Sequence, residues 1–168
     1  MTLSRRTYSA ILTGAALWCG LIALAPVLAS NSGPAQDVSG FIYSFFHRIC
    51  HQLDERSLHL DGHPLAVCAR CLAIYVGFLS GTVLYPFVRD LSESGTPSRA
   101  FLMVATLPMV IDVATGLFGI HEPTLLTRML SGAFFGVFIP FFAIPTAIHG
   151  LLELRDRGSQ QSFHTLRG

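Results

Sequence analysis

Four long apolar stretches run along the chain, separated by short polar segments. A helix needs roughly 20 apolar residues to cross about 30 Å of hydrocarbon. On that ground the predicted spans cover about 9–29, 65–88, 100–119 and 129–152. The first follows Arg5 and Arg6 and meets no charge until Asp37. The third is interrupted only by Asp112, and the fourth holds no formal charge. A polar loop, 31–64, joins the first two spans. Within it, Phe41, Ile42, Phe45, Phe46 and Ile49 fall on one helical stripe, as expected of a short helix lying at a membrane interface. Gly62 and Pro64 punctuate the chain before the second span. The pattern predicts an all-α integral membrane four-helix bundle with a short interfacial helix before the second span. One transmembrane domain fills 1–154, and 155–168 reads as a polar, mobile tail.

The first stretch also has features of a secretory leader, with a basic start and Val27-Leu28-Ala29 as a cleavage site. Its apolar run exceeds the 7–15 residues of such leaders, so a retained anchor is expected. Composition agrees with a lipid environment. Hydrophobic residues make up 51% of the chain and charged residues 12%, against about 25% charged in a soluble domain. The net charge of +1 gives no argument for nucleic acid, and no such partner is expected. Orientation follows from arginine, which supplies every basic side chain. With four spans, Arg5, Arg6, Arg89, Arg99, Arg155, Arg157 and Arg167 share one side, and Arg48, Arg56, Arg70 and Arg128 the other. The excess places both termini in the cytoplasm of a multi-pass protein of the cell (inner or plasma) membrane. The loop 31–64 is then extracytoplasmic.

Two spans carry Gly-x-x-x-Gly, at Gly77–Gly81 and Gly132–Gly136. Small residues one turn apart let helix backbones approach closely where lipid supplies no hydrophobic drive. These faces are expected to pack on each other, or on a membrane partner or second copy. Pro140 and Pro145 each remove a backbone donor from the fourth span and are expected to kink it.

The densest chemistry surrounds the loop. Cys50-His51-Gln52 is followed by Arg56-Ser57, His59, His63 and Cys68-Ala69-Arg70-Cys71. Two thiolates in Cys-x-x-Cys can grip one tetrahedral ion, and Cys50 supplies a third ligand. His51 is the expected fourth, with His47, His59 and His63 as alternatives. Thiolate and imidazole together point to zinc, ahead of copper or iron. A haem c site would need His after Cys71, where Leu72 stands. A rival reading treats Cys68 and Cys71, at a helix start beside Arg70, as a reactive thiol pair with Cys50 resolving. That describes a membrane thiol-disulfide oxidoreductase working with a quinone or periplasmic partner. A third reading is a structural subunit of a larger membrane complex. Cys19, isolated mid-span, acts as a small hydrophobe.

A carboxylate inside a span must be neutral, paired or facing a polar cavity. Arg128 is the expected partner of Asp112, and Arg70 is expected to snorkel to the interface. Asp112 lies about two helical turns below the surface that carries the cysteines. A polar pocket is therefore expected there, with Asp112, Arg128, Arg56 and Ser57 as candidate catalytic groups.

The words Cys50-His51-Gln52, Arg56-Ser57 and Cys68-Ala69-Arg70-Cys71, followed by Tyr75 and Gly77, resemble a family of small prokaryotic membrane proteins of unknown function. Asp112, Arg128, Gly132 and Gly136 fit the same pattern, so the resemblance spans roughly 45–137. It implies that these residues belong to one site and implies no reaction. The family pattern has a glycine soon after the second thiol, where this chain has Leu72-Ala73.

Overall fold

The computed structural model describes the backbone of residues 3–91, 95 and 98–165, and their side chains except at 99 and 156–165. Arg167 and the end of the expected tail lie outside the described residues, as do the side chains of Arg99 and Arg157. The described chain forms five helices, α1 (Leu3–Ala29), α2 (Pro34–His47), α3 (Ala69–Val88), α4 (Arg99–Leu117) and α5 (Leu125–Thr165). A 3₁₀ turn (Asp54–Arg56) and a two-stranded hairpin, β1 (His59–Leu60) and β2 (His63–Pro64), fill the loop between α2 and α3. Four helices are long and apolar enough to span a membrane: Leu3–Ala29, Ala69–Val88, Ala100–Leu117 and Leu125–Arg155.

Helix boundaries shift from the expected ones for local reasons. α3 begins at Ala69 rather than 65, because Cys68 is extended (φ −66°, ψ 159°) and ends a buried apolar run, Ala66-Val67. α2 begins at Pro34, whose missing N–H costs nothing at a first turn. Its stripe divides: Ile42 and Phe46 turn into the bundle, whereas Phe41, Phe45 and Ile49 stay exposed. α5 starts at Leu125 and continues to Thr165, beyond the expected end at 152.

The two glycine pairs face each other across α3 and α5. A Cβ on Gly77 would stand 2.7 Å from the Ala133 carbonyl oxygen, and one on Gly132 2.7 Å from that of Arg70. On Gly81 it would strike the Val137 carbonyl, and on Gly136 the Ile74 backbone. The stripes considered for an oligomer contact are thus consumed within one chain. α1 lies against α2 and α3, and α4 against α5.

Proline's lost donor is answered in α3. Pro86 cannot bond the carbonyl four residues back, that of Thr82. The Tyr8 hydroxyl of α1 donates to that carbonyl at 3.1 Å. An orphaned carbonyl in hydrocarbon is expensive, so this bond ties α1 to α3 at one end of the bundle. Tyr85, Ile144 and Ile148 form the core there.

At the opposite end Ile22, Ala25, Ile42, Phe46, Ala66 and Val67 form a second core, which also buries Cys50. Trp18 sets edges against Phe46 (5.1 Å between centroids) and Tyr75 (5.7 Å), joining α1, α2 and α3. The Ser39 hydroxyl donates to the Ala25 carbonyl at 2.7 Å and fixes α2 along α1.

Candidate metal centre and polar pocket

Cys50 follows the end of α2, Cys68 caps α3, and Cys71 lies in the first turn of α3. Their three sulfurs lie within 4.8 Å of one another. The Cys68 N–H donates to the Cys50 sulfur at 3.2 Å. Cys50 is buried and the other two are half-buried; all three are free thiols, as is Cys19. The Cys68 thiol is held well below the ordinary thiol range. A hydrogen bond from the Cys71 thiol contributes most, against the opposing effect of burial, and the Cys71 and Arg70 N–H groups and Cys50 add to it.

The loop is fastened so that Cys50 meets α3. Gln52 sits at φ 50°, in the left-handed region that non-glycine residues seldom adopt. From there its Nε2 donates to the Tyr43 carbonyl at 2.9 Å and the Ala66 carbonyl at 2.7 Å. The Tyr43 hydroxyl donates to the Pro64 carbonyl at 2.5 Å. One amide and one phenol thus bind the end of α2 to the strand leading into Cys68. Asp61 (φ 50°) and Gly62 (φ 81°) form the tight turn between β1 and β2. Gln52→Ala should lower stability by about 1–3 kcal/mol, since it strips two carbonyls of their donor. Thermal unfolding in dodecyl maltoside checks this; a midpoint equal to wild type would refute the clamp.

The histidines are placed otherwise. His51, expected as a fourth ligand, is exposed and lies outside the sulfur triangle, as do His47, His59 and His63. His59 Nε2 instead meets the Asp54 carboxylate at 2.9 Å. Adjacent residues on one backbone point apart, so Cys50 turning inward sends His51 outward.

The intramembrane acid has a different partner from the one expected. Asp112 pairs with Arg70 Nη2, and the Ser131 hydroxyl donates to the same carboxylate oxygen at 3.3 Å. Arg128 is engaged elsewhere, its Nε donating to the Pro123 carbonyl at 3.0 Å. Nor does Arg70 snorkel: its side chain is 20% exposed and that of Asp112 10%. Gly132 explains the exchange. Without a Cβ it lets the Arg70 backbone lie against α5, beside Ser131 and within reach of α4.

A cavity of about 480 Å³ opens beside this pair, lined by Arg56, Arg70 and Arg128 with Glu122, Pro123 and Leu117 among its walls. Arg56 and Arg128 therefore fall where a polar pocket was expected. Ser57 is not in its lining; buried, it donates to the Leu53 carbonyl at 2.8 Å and closes the 3₁₀ turn. Of its polar lining residues, Arg70 and Glu122 were not expected there from the sequence, and Asp112 pairs with Arg70 without itself lining the cavity.

Four apolar spans and a thiol triangle at one end define a small polytopic membrane protein with a Cys cluster able to hold a metal ion. The chain belongs to the family described as "Predicted membrane protein (DUF2085)", which matches residues 50–142. That range runs from the first clustered cysteine into α5. An uncharacterized protein of Methanocaldococcus jannaschii is 37% identical over 108 residues, covering 64% of this chain and 69% of the relative. Another, of Methanothermobacter thermautotrophicus, is 35% identical over 88 residues, covering 52% and 77% respectively. No solved structure matches the chain.

Proposed function

We propose that Cys50, Cys68 and Cys71 form a zinc centre at the extracytoplasmic surface of the cell membrane, beside the Arg70–Asp112 pair. The convergence of three sulfurs from two separate segments carries this reading. A tetrahedral ion with Zn–S bonds near 2.3 Å would draw them to about 3.8 Å from one another, a small contraction. Three thiolates leave one coordination position for His51, after a turn of its exposed side chain, or for water. A bound zinc supplies a Lewis acid there. The residues that hold it also join α2 to α3, so the ion would stiffen the loop. The seven-to-four division of arginines supports the orientation, with both termini cytoplasmic.

Metal analysis of protein purified without a metal-affinity step tests the reading. About one zinc per chain is expected, with loss in Cys50→Ser and in Cys68→Ser. Metal-free protein holding a Cys68–Cys71 disulfide by non-reducing peptide mass would refute it and favour the thiol oxidoreductase, for which the lowered Cys68 thiol is the supporting observation.

A further inference from the structure

We propose that Arg56, Arg70 and Arg128 form a binding pocket for a phosphate group, distinct from the thiol cluster and independent of whether that cluster holds a metal.

The three guanidinium groups reach one cavity from three elements: the 3₁₀ turn, the first turn of α3 and the first turn of α5. Like charges gathered around one space repel, and a polyanion removes that cost. The local carboxylates do so only in part. Asp112 is paired with Arg70. Glu122 lines the cavity without an ion pair among the described residues. Glu55 approaches Arg56 Nε at 3.4 Å, with both side chains well exposed, where water screens the attraction. Arg128 donates through Nε to a neutral carbonyl, and among the described residues no acceptor meets its two terminal nitrogens. Arg70 Nε is buried with no hydrogen-bond partner among the described residues. Planar guanidinium forks match the paired oxygens of a phosphate, which an ammonium would meet only as a point charge. A cavity of about 480 Å³ has the size of a small-molecule site. Leu117 and Pro123 add an apolar wall, so the phosphate could belong to a lipid headgroup or to a free phosphate compound.

The full chain in dodecyl maltoside is heated with sodium phosphate, and with sodium chloride at equal ionic strength. In a second arm the micelles carry dioleoyl phosphatidylglycerol, against dioleoylglycerol, which lacks the phosphate. The midpoint should rise by about 3 °C at ten times the dissociation constant. A rise with phosphate alone identifies a free compound, a rise with phosphatidylglycerol alone a lipid, and a rise with both a site that reads the shared group. Arg128→Gln and Arg56→Gln should each weaken binding roughly tenfold. Arg56 lies on an exposed turn, so its variant does not disturb packing. Arg48→Gln, which alters an exposed arginine outside the cavity, should keep the response. No rise in either arm overturns the proposal. So does a rise unchanged in both pocket variants, or one lost equally in Arg48→Gln.

Discussion

Gly81→Ala and Gly136→Ala are expected to destabilise the bundle by about 2–3 kcal/mol each, and Gly81→Leu to prevent native packing of α3 on α5. The new atom would meet backbone: the Val137 carbonyl in one case, the Ile74 backbone in the other. A backbone cannot rotate away as a long side chain can, so the helices must separate along their contact. Lipid offers no hydrophobic force to hold them together once close contact is lost. Gly14→Ala and Gly20→Ala are the controls, because nothing lies within 4 Å of a Cβ at either position in α1. They should be neutral, or gain up to about 1 kcal/mol from helix propensity. Unfolding by sodium dodecyl sulfate in mixed micelles, followed by circular dichroism, measures all five variants. Equal stability of the two sets would show that the glycine faces do not set the packing.

Arg70→Met carries the second large effect. Removing one member of a buried pair leaves the other charge uncompensated, at a cost of about 3–5 kcal/mol. Among the described residues, Asp112 would keep only the Ser131 hydroxyl, 3.3 Å away. Asp112→Leu should be costly in turn, since it strands Arg70 beside Arg56 and Arg128. The double variant Arg70→Met/Asp112→Leu should recover most of the loss, because apolar side chains can replace a buried pair at little cost. Strictly additive losses in this cycle would show that the two side chains do not interact.

The spans were legible because crossing a bilayer demands only length and apolarity, and both are written locally. The pairing of the glycine stripes was legible for a similar reason: a missing Cβ at Gly77, Gly81, Gly132 and Gly136 has few other uses in lipid. Helix starts were less so, since Leu65 to Val67 is as apolar as a helix yet runs extended into Cys68. The three sulfurs could be grouped from their spacing. That His51 would stand apart from them could not be read from it, because its side-chain direction depends on how Cys50 is turned. The partner of Asp112 was hidden for a tertiary reason. Arg128 is nearer in the chain, but Arg70 is brought closer by Gly132. The hairpin had a signal in Asp61-Gly62, a turn-forming dipeptide. Gln52 had none, since a left-handed glutamine is decided by the two carbonyls it reaches.

The Arg70–Asp112 pair also bears on how the protein is made. Asp112 is the only formal charge within α4 after Arg99, so it is the group that most opposes this segment's entry into lipid. Its counter-charge lies 42 residues earlier, in α3. The ribosome therefore delivers the arginine first. An arriving α4 can leave the insertion machinery against a neighbour already carrying the neutralising group, and a chain altered at Arg70 should accumulate at that stage, before its fold is ever tested.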